Sequence, residues 1–344
     1  MTSGQMKAIY FPEPGPASVL SLTEVPIPAL ETPYDILVQI KACALNPVDT
    51  KIRSGKFPAH PILGFDAAGV VEKAGQQALY KPGDEVMYSG ALGRSGTNAQ
   101  YSVVDSRIVG RKPKGWGWAE TAGLPLVGLT AWEMLEGHFN LKPFQSPSKE
   151  ETLLIVNGAG GVGSIATQLA ARVFKIKSVI VTASRKETRV WAKRNGATHV
   201  INHHEALGPQ LEQLGLKPTL AFICHDTQKY LEPIVKLMSP WGRIGSIVET
   251  DSPLNFHTMD AFGKALSFHW EFMLAKPANQ FDLATQGRML NDLTKAVEDG
   301  DVTSLVTVKE VLSQDSLQRM HRLIEGGVSM GKVVFEVQDT IREM

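Results

Sequence analysis

Cysteine is scarce in this 344-residue chain, and neither sign of charge is in excess. The two cysteines, Cys43 and Cys224, are far apart and form no CxxC pair, so there is no disulfide framework and a reducing compartment is indicated. Lys plus Arg and Asp plus Glu number 35 each, which leaves no overall basic field to attract a nucleic acid. We therefore expect no nucleic-acid partner.

Long apolar runs are missing as well. Stretches such as Leu153 to Val156 fall far short of the roughly 20 residues that a membrane-spanning helix needs. Residues Met1 to Gln5 are polar and lack the basic and apolar regions of a signal peptide. We expect a soluble, cytoplasmic protein without a membrane partner.

The pattern of apolar residues changes near residue 131, and the chain is longer than one hydrophobic core usually organises. Up to that point, short alternating runs broken by Pro and Gly predict a β-rich domain. Beyond it, strands alternate with helical patterns, which predicts an α/β domain with a doubly wound parallel sheet of the Rossmann type. Its six predicted strands are Leu153–Asn157, Val179–Ala183, His199–Asn202, Leu220–Cys224, Arg243–Val248 and Leu266–Phe272.

The tail from about Lys276 is expected to rejoin the first domain. It holds two helical patterns and two short strand patterns, the second strand being Lys332 to Val337. The predicted division is therefore residues 1–131 with 276–344 for the β-rich domain and residues 132–275 for the Rossmann domain.

A glycine cluster in "LLIVNGAGGVGSIATQLA" follows the first predicted strand and opens a helix. Gly158, Gly160 and Gly163 fit GxGxxG, in which glycines permit the tight turn, the approach of a pyrophosphate and close helix–strand packing. Together with Gly161 and Val162 they form the predicted dinucleotide-binding segment, because the helix start offers N–H groups to phosphates. The alternative is a strand-to-helix turn that binds nothing.

The end of the second predicted strand, "SVIVTA", bears on which dinucleotide is bound. An NAD site usually places Asp or Glu there for the ribose hydroxyl, but here Ser184, Arg185 and Lys186 follow. A hydroxyl and two cations suit an additional phosphate, so we predict NADPH rather than NADH. Ser184 and Glu187 also fit a capping box, which would start the next helix whatever the ligand.

The arrangement of a β-rich half and a dinucleotide domain resembles the medium-chain dehydrogenase/reductase superfamily over nearly the whole chain. The segments "NPVDTKIRSG" (46–55), "PILGFDAAGVV" (61–71) and "PLVGLTAWEML" (125–135) resemble its zinc-free quinone oxidoreductase branch. The segments 88–114, "TASRKET" (182–188) and "SFHWEFM" (267–273) resemble the microbial zinc-type alcohol dehydrogenase-like proteins. The resemblance implies a GroES-like catalytic domain beside the Rossmann domain.

Zinc members of this superfamily carry a Cys, an Asp three residues on, a His two residues further, and a GHE segment. Here Asn46 and Lys51 occupy the Cys and His positions, and residues 64–66 read Gly-Phe-Asp. An amide and a phenyl ring cannot replace thiolate and imidazole as zinc ligands, so we predict no metal. His203 and His204 do not change this, because neighbours on an extended segment point to opposite faces.

The missing ligands indicate the type of reaction. Without a Lewis acid nothing stabilises the alkoxide of an unactivated alcohol, whereas quinones and α,β-unsaturated carbonyls accept hydride from reduced nicotinamide readily. We therefore expect an NADPH-dependent reductase of such acceptors. Two alternatives stay open: an alcohol or aldehyde dehydrogenase of the same superfamily, and a non-catalytic NADPH-binding protein.

The resemblance also implies roles for single residues. Asn46 would lie near the nicotinamide and polarise the acceptor oxygen, although Asn-Pro is also a common turn opener. Thr130 would bond the nicotinamide-side phosphate or ribose, unless its hydroxyl returns to its own helix backbone. His203 occupies a position where quinone oxidoreductases often carry a Tyr near the 2′-phosphate. Asp49 is read as a cap or first-turn anion of a short helix.

Trp270 and Phe272 lie two residues apart on the last predicted strand and so share one face. Aromatic residues on a terminal strand are more often buried in a core or at a subunit contact than in a substrate pocket. Because dimers in this superfamily often extend the sheet across a twofold axis, we expect a homodimer.

Overall fold

The computed structural model describes residues 4–57, 60–147, 149–338 and 341. The chain divides into two compact units. The first comprises Met1–Leu129, Leu274–Glu298 and Ser304–Met344, and the second comprises Thr130–Met273 and Asp299–Thr303. Among the described residues, no helix combines the length and the apolar character needed to cross a bilayer.

The elements of the described ranges are numbered in chain order. The strands are β1 (Gln5–Tyr10), β2 (Ser21–Pro26), β3 (Asp35–Leu45), β4 (Asp66–Ala74), β5 (Glu85–Ser89), β6 (Tyr101–Asp105), β7 (Val109–Arg111), β8 (Thr152–Val156), β9 (Ser178–Thr182), β10 (His199–Ile201), β11 (Leu220–Ile223), β12 (Arg243–Ser246), β13 (Ser267–Trp270), β14 (Val306–Val311) and β15 (Lys332–Glu336). The α-helices are α1 (Pro47–Arg53), α2 (Trp118–Ala122), α3 (Pro125–Trp132), α4 (Gly161–Gln168), α5 (Lys186–Arg194), α6 (Leu207–Leu214), α7 (Thr227–Leu237), α8 (Met259–Gly263), α9 (Ala275–Ala278), α10 (Leu283–Glu298) and α11 (Gln314–Glu325). Short 3₁₀ segments cover Ala17–Val19 and Ser106–Ile108, and π-helical turns cover Glu133–His138 and Leu169–Val173.

The first unit is built on a mostly antiparallel sheet in the order β14-β15-β3-β4-β5-β7, with β6 added beside β3. β15 runs antiparallel to β3 and places Val333 opposite Leu45. A strand from the end of the chain therefore pairs with the strand that leads into Asn46. The sequence predicts a β-rich, GroES-like domain for this part of the chain, and that fold is confirmed.

Helix α1, which follows Asn46, is fixed by an arginine at its last position. Arg53 is 1% exposed and its guanidinium bonds the Gly15 carbonyl and the Glu325 carboxylate. Its Nε donates to Nδ1 of His321 at 3.3 Å. Burial, together with the Arg53 charge, lowers the pKa of His321 to about 3, so the ring is neutral and can accept this bond. These contacts hold α1 against α11.

The second unit contains a parallel sheet in the order β10-β9-β8-β11-β12-β13. Each predicted strand of the Rossmann domain is present, and the doubly wound fold is confirmed. Every residue of β8 is buried, as expected for a strand covered on both faces by helices. The register aligns Ile223 with Val156 and Ile155 with Val181, so the carboxyl ends of these strands reach the same edge. Ligands of such sheets bind outside the carboxyl ends.

Candidate functional site

The glycine segment forms a tight turn between β8 and α4. Asn157 adopts a left-handed conformation with φ of 63°, and α4 begins at Gly161. A Cβ on Gly158 would lie 1.8 Å from Cγ1 of Val181, and one on Gly163 would lie 2.2 Å from the Asn157 carbonyl oxygen. Only glycine fits these two positions without moving a neighbouring strand or the turn itself.

The same turn presents the start of α4. The first N–H groups of a helix have no acceptor within that helix, and here they belong to the segment from Gly161 to Gly163. Gly160, Gly161 and Val162 are partly exposed, whereas Gly158 and Gly163 are buried. This cradle of backbone donors and glycines without Cβ atoms fits a diphosphate.

Beyond β9, the residues predicted to select the cofactor lie at the surface. Ser184 is half-buried, and the side chains of Arg185 and Lys186 are exposed. Helix α5 begins at Lys186 with Arg185 as its N-cap and has no side-chain cap. The predicted Ser184–Glu187 capping box is therefore wrong, because the helix begins one residue too late for Ser184 to be the N-cap.

His203 and His204 follow β10 in a turn, and their rings contact with centroids 4.6 Å apart. The expectation that they point to opposite faces is wrong, because these residues have left the extended strand. Burial lowers the pKa of His203, and the nearby His204, Lys229, His225 and Arg185 lower it further.

His225 and Lys229 were missed by the sequence analysis. His225 lies just beyond β11, and Lys229 is in the first turn of α7. The rule that ligands bind beyond the carboxyl ends of parallel strands could have singled out His225. Two cations and two histidines thus lie near enough to His203 to act on its pKa, and the five side chains together make an environment that suits an anion. They are Arg185, His203, His204, His225 and Lys229.

Thr130 lies inside α3 and is 5% exposed. The structure thus places this predicted cofactor residue in a buried helical position of the second unit.

The first unit contains a buried polar cluster around Asn46, the residue after β3. The Asn46 amide nitrogen Nδ2 donates to Oδ2 of Asp66 at 2.8 Å. The ammonium of Lys332 donates to Oδ1 of Asn46 at 2.5 Å and to Oδ2 of Asp66 at 2.9 Å. It also reaches the Leu45 carbonyl at 3.2 Å. Asn46, Asp66 and Lys332 are at most 3% exposed, so this hydrogen-bonded ion pair is closed to water.

Asp49 completes the cluster in the first turn of α1. Its carboxylate accepts from the backbone N–H of Asn46 at 2.8 Å and of Gly64 at 3.0 Å. Burial raises its pKa to about 7 and the Asp66 charge contributes, while the two N–H bonds and Lys332 oppose the rise. The interpretation of Asp49 as a first-turn acidic residue of a short helix is confirmed.

Asn46 stands at the Cys position of the zinc members of the resembled superfamily, and the side chains bonded to it do not fit that ion. Asn46 offers an amide whose oxygen is already bonded to an ammonium, and Asp66 is paired with the same ammonium. Zinc sites need thiolate, imidazole or carboxylate ligands with open lone pairs. Nowhere in the described residues do three or more His, Cys, Asp or Glu side chains gather as a metal site would require.

Lys332 is not among the site residues predicted from the sequence. A lysine at the start of an otherwise apolar strand was the available signal, but its partner residues lie 266 and 286 positions away. Only the pairing of β15 with β3 brings them together.

Comparison with known proteins identifies the family to which this chain belongs. The profile of the alcohol dehydrogenase GroES-like domain matches residues 32–125, and that of the zinc-binding dehydrogenase family matches residues 161–285. A zinc-type alcohol dehydrogenase-like protein of Staphylococcus aureus is 37% identical over 338 residues, which cover 96% of this chain and all of the relative. The chain belongs to the medium-chain dehydrogenase/reductase superfamily.

Two plant enzymes are also similar to this chain. A 2-methylene-furan-3-one reductase of Solanum lycopersicum is 31% identical, and an NADPH-dependent alkenal/one oxidoreductase of Arabidopsis thaliana is 28% identical. Each alignment covers 96% of this chain and 79% of the relative.

Solved structures show the same fold. A Rhizobium etli protein described as a zinc-dependent alcohol dehydrogenase superposes with a TM-score of 0.89 at 39% identity, covering 98% of this chain and 99% of that one. A Coxiella burnetii quinone oxidoreductase superposes with a TM-score of 0.79 at 25% identity, covering 97% and 100%. Superfamily membership indicates a nicotinamide cofactor, and the glycine turn described above fits its diphosphate.

We expect Gly163→Ala to weaken dinucleotide binding about tenfold or more, because the new Cβ must displace the Asn157 carbonyl and reshape the turn. Gly137→Ala is the matched control, since a Cβ there meets no atom within 4 Å in the same unit. Binding is measured by titrating NADPH against intrinsic fluorescence. Equal dissociation constants for the two folded variants would show that this turn does not hold the cofactor.

Proposed function

We propose that this protein is an NADPH-dependent, zinc-independent oxidoreductase that transfers hydride to quinones or α,β-unsaturated carbonyls. The observation that carries the proposal is the Lys332 ammonium bonded between Asn46 and Asp66, with Asn46 at the position where zinc relatives carry a cysteine ligand. These side chains offer a substrate oxygen no Lewis acid, so the acceptor must be electrophilic beforehand.

The names of several relatives support this class of acceptor. The tomato and Arabidopsis relatives are named as a furanone reductase and an alkenal/one oxidoreductase, and the Coxiella structure as a quinone oxidoreductase. All three names refer to conjugated carbonyl or quinone compounds.

We propose NADPH as the cofactor because of the positive groups beyond β9, β10 and β11. Backbone N–H groups of the glycine turn would hold the diphosphate, while Ser184, Arg185 and Lys186 would bond the 2′-phosphate with help from His203. Thr130 would bond the phosphate or ribose on the nicotinamide side of the cofactor. The Arabidopsis relative, which is NADPH-dependent by name, supports this choice.

In the proposed reaction, this chain positions the acceptor and binds its oxygen. When bound, the reduced nicotinamide supplies a hydride to the acceptor carbon, and a proton from solvent or the cofactor ribose completes the two-electron reduction. The Asn46 amide would donate an N–H to the acceptor oxygen as negative charge develops there. Asn46 is the proposed catalytic residue.

A panel of acceptors tests this function. The chelator-treated enzyme is incubated with quinones, enones, aldehydes and simple alcohols, with NADPH or NADP⁺ and with NADH or NAD⁺, while cofactor absorbance is recorded. We expect oxidation of NADPH with quinones or enones and no turnover of alcohols. Turnover of alcohols alone, or loss of activity that zinc restores, would favour the alcohol dehydrogenase alternative. Cofactor binding without turnover on any acceptor would favour a non-catalytic role.

Arg185→Ala is expected to raise the NADPH Michaelis constant about tenfold and to leave that for NADH unchanged, because only NADPH carries the extra phosphate. Arg194→Ala is the control, since Arg194 is also exposed but lies at the opposite end of α5. The Michaelis constants of both variants are measured for NADPH and for NADH. An unchanged NADPH constant in Arg185→Ala would refute the assignment of this residue.

We further propose that the protein is a cytoplasmic homodimer joined at β13. This strand is an edge of the parallel sheet in the described chain, and Trp270 and Phe272 beside it are each 46% exposed. An open strand edge flanked by exposed aromatic side chains favours pairing with a second copy. Cys43 and Cys224 are buried free thiols, in keeping with a reducing compartment.

Trp270→Glu is expected to shift the protein from dimer to 37.5 kDa monomer in sedimentation analysis, because a carboxylate would be buried at the contact. Val190→Glu changes an exposed apolar residue on α5 and should leave the dimer intact. A wild-type protein that sediments as a monomer at micromolar concentration would contradict the proposal.

A further inference from the structure

The amide orientation of Asn46 is determined by two partners with opposite requirements. The Lys332 ammonium can only donate, so the Asn46 atom 2.5 Å from it must be the carbonyl oxygen. The Asp66 carboxylate accepts from the other end of the amide at 2.8 Å, so that end is the NH₂ group. One of its two N–H groups is therefore directed to Asp66, and the plane of the amide is set.

We propose that Lys332 is a positioning residue, whose ammonium holds Asn46 in the orientation that catalysis needs. This inference rests on the proposed function, in which the second N–H group of the Asn46 amide donates a hydrogen bond to the oxygen of the acceptor.

The charges of the cluster are consistent with a single cation, the Lys332 ammonium. The Lys332 charge is paired with that of Asp66 at 2.9 Å, and both side chains are closed to water. A divalent ion placed here would meet the buried ammonium at short range, where like charges repel strongly.

The backbone around Lys332 keeps the ammonium in place. Lys332 opens β15, and its N–H donates to the Leu305 carbonyl at 2.8 Å. The next residue, Val333, lies opposite Leu45, which directly precedes Asn46. The donor and the amide it orients are thus held by two hydrogen-bonded strands, a rigid support of the kind that precise positioning needs.

The test compares three substitutions. Lys332→Met removes the ammonium at similar length, Lys332→Gln keeps an N–H donor without the charge, and Lys309→Met removes a half-exposed ammonium from the adjacent β14. With the best acceptor from the panel, we expect Lys332→Met to lower kcat about tenfold to a hundredfold. The NADPH Michaelis constant should stay within about twofold of the wild-type value. Lys332→Gln should recover part of kcat, and Lys309→Met should match the wild type. Wild-type kcat in folded Lys332→Met would overturn the inference.

A readout independent of turnover follows the amide itself. In protein labelled with ¹⁵N-asparagine, the side-chain NH₂ signals of Asn46 are identified by their loss in Asn46→Ala. We expect these signals to shift and to exchange with water faster in Lys332→Met or, if that variant does not fold, in Lys332→Gln. Unchanged signals and exchange in the folded variant would overturn the inference, even if the wild-type enzyme reduces none of the acceptors. Failure of all acceptors with altered Asn46 signals would instead refute only the proposed function.

Metal content gives a third measurement that needs no variant. Wild-type protein purified without chelators should contain well under one zinc per chain, and added zinc should not compete for the cluster. The inference would be overturned if each chain held one zinc ion tightly and if removal of that zinc shifted the Asn46 signals.

Discussion

The buried ion pair between Lys332 and Asp66 is the interaction on which the first unit's functional cluster depends. It joins β15 to the start of β4 and, through Asn46, to the end of β3 and the start of α1. Leu126 adds a backbone N–H to the other oxygen of Asp66 at 2.7 Å. A buried pair of this kind costs desolvation energy, so its presence is better explained by the precise geometry it imposes than by stability.

The second unit follows a different principle, in which the backbone rather than buried charge forms the binding surface. Glycines remove side chains where β8, β9 and α4 approach one another, and the start of α4 supplies donors. Side chains that can be positively charged lie beyond the carboxyl ends of β9, β10 and β11. A diphosphate thus meets backbone dipoles, while an additional phosphate would meet side chains, which makes cofactor preference adjustable without altering the fold.

Local patterns in the sequence were enough to predict the parallel sheet and the glycine turn. Strand periodicity and GxGxxG depend on neighbours within about 20 residues, and both are confirmed by the structure. Errors arose where the prediction depended on one residue's position at an element boundary. The capping box failed because α5 begins at Lys186, and the His203–His204 geometry failed because β10 ends at Ile201. Such boundaries are set by tertiary contacts as well as by local preference.

The residues that bond Asn46 could not be predicted from the sequence. The lack of zinc ligands could be seen at once from Asn46 and Lys51, but the lysine that bonds the Asn46 amide, Lys332, could not. Lys332 lies in a segment whose partner strand cannot be inferred from its own residues. Long-range pairing of strands is determined by the whole sheet, so the identity of this cation required the structure.

The position of β15 between β14 and β3 also has a consequence for biosynthesis. While the chain is being made, the nascent first unit lacks the strand that pairs with the end of β3, and Asp66 lacks its counter-charge, until residue 332 has left the ribosome. The segment of the second unit from Thr130 to Met273, by contrast, is complete earlier and can acquire its parallel sheet co-translationally. The order of synthesis therefore makes closure of the Asn46 cluster one of the last events of folding.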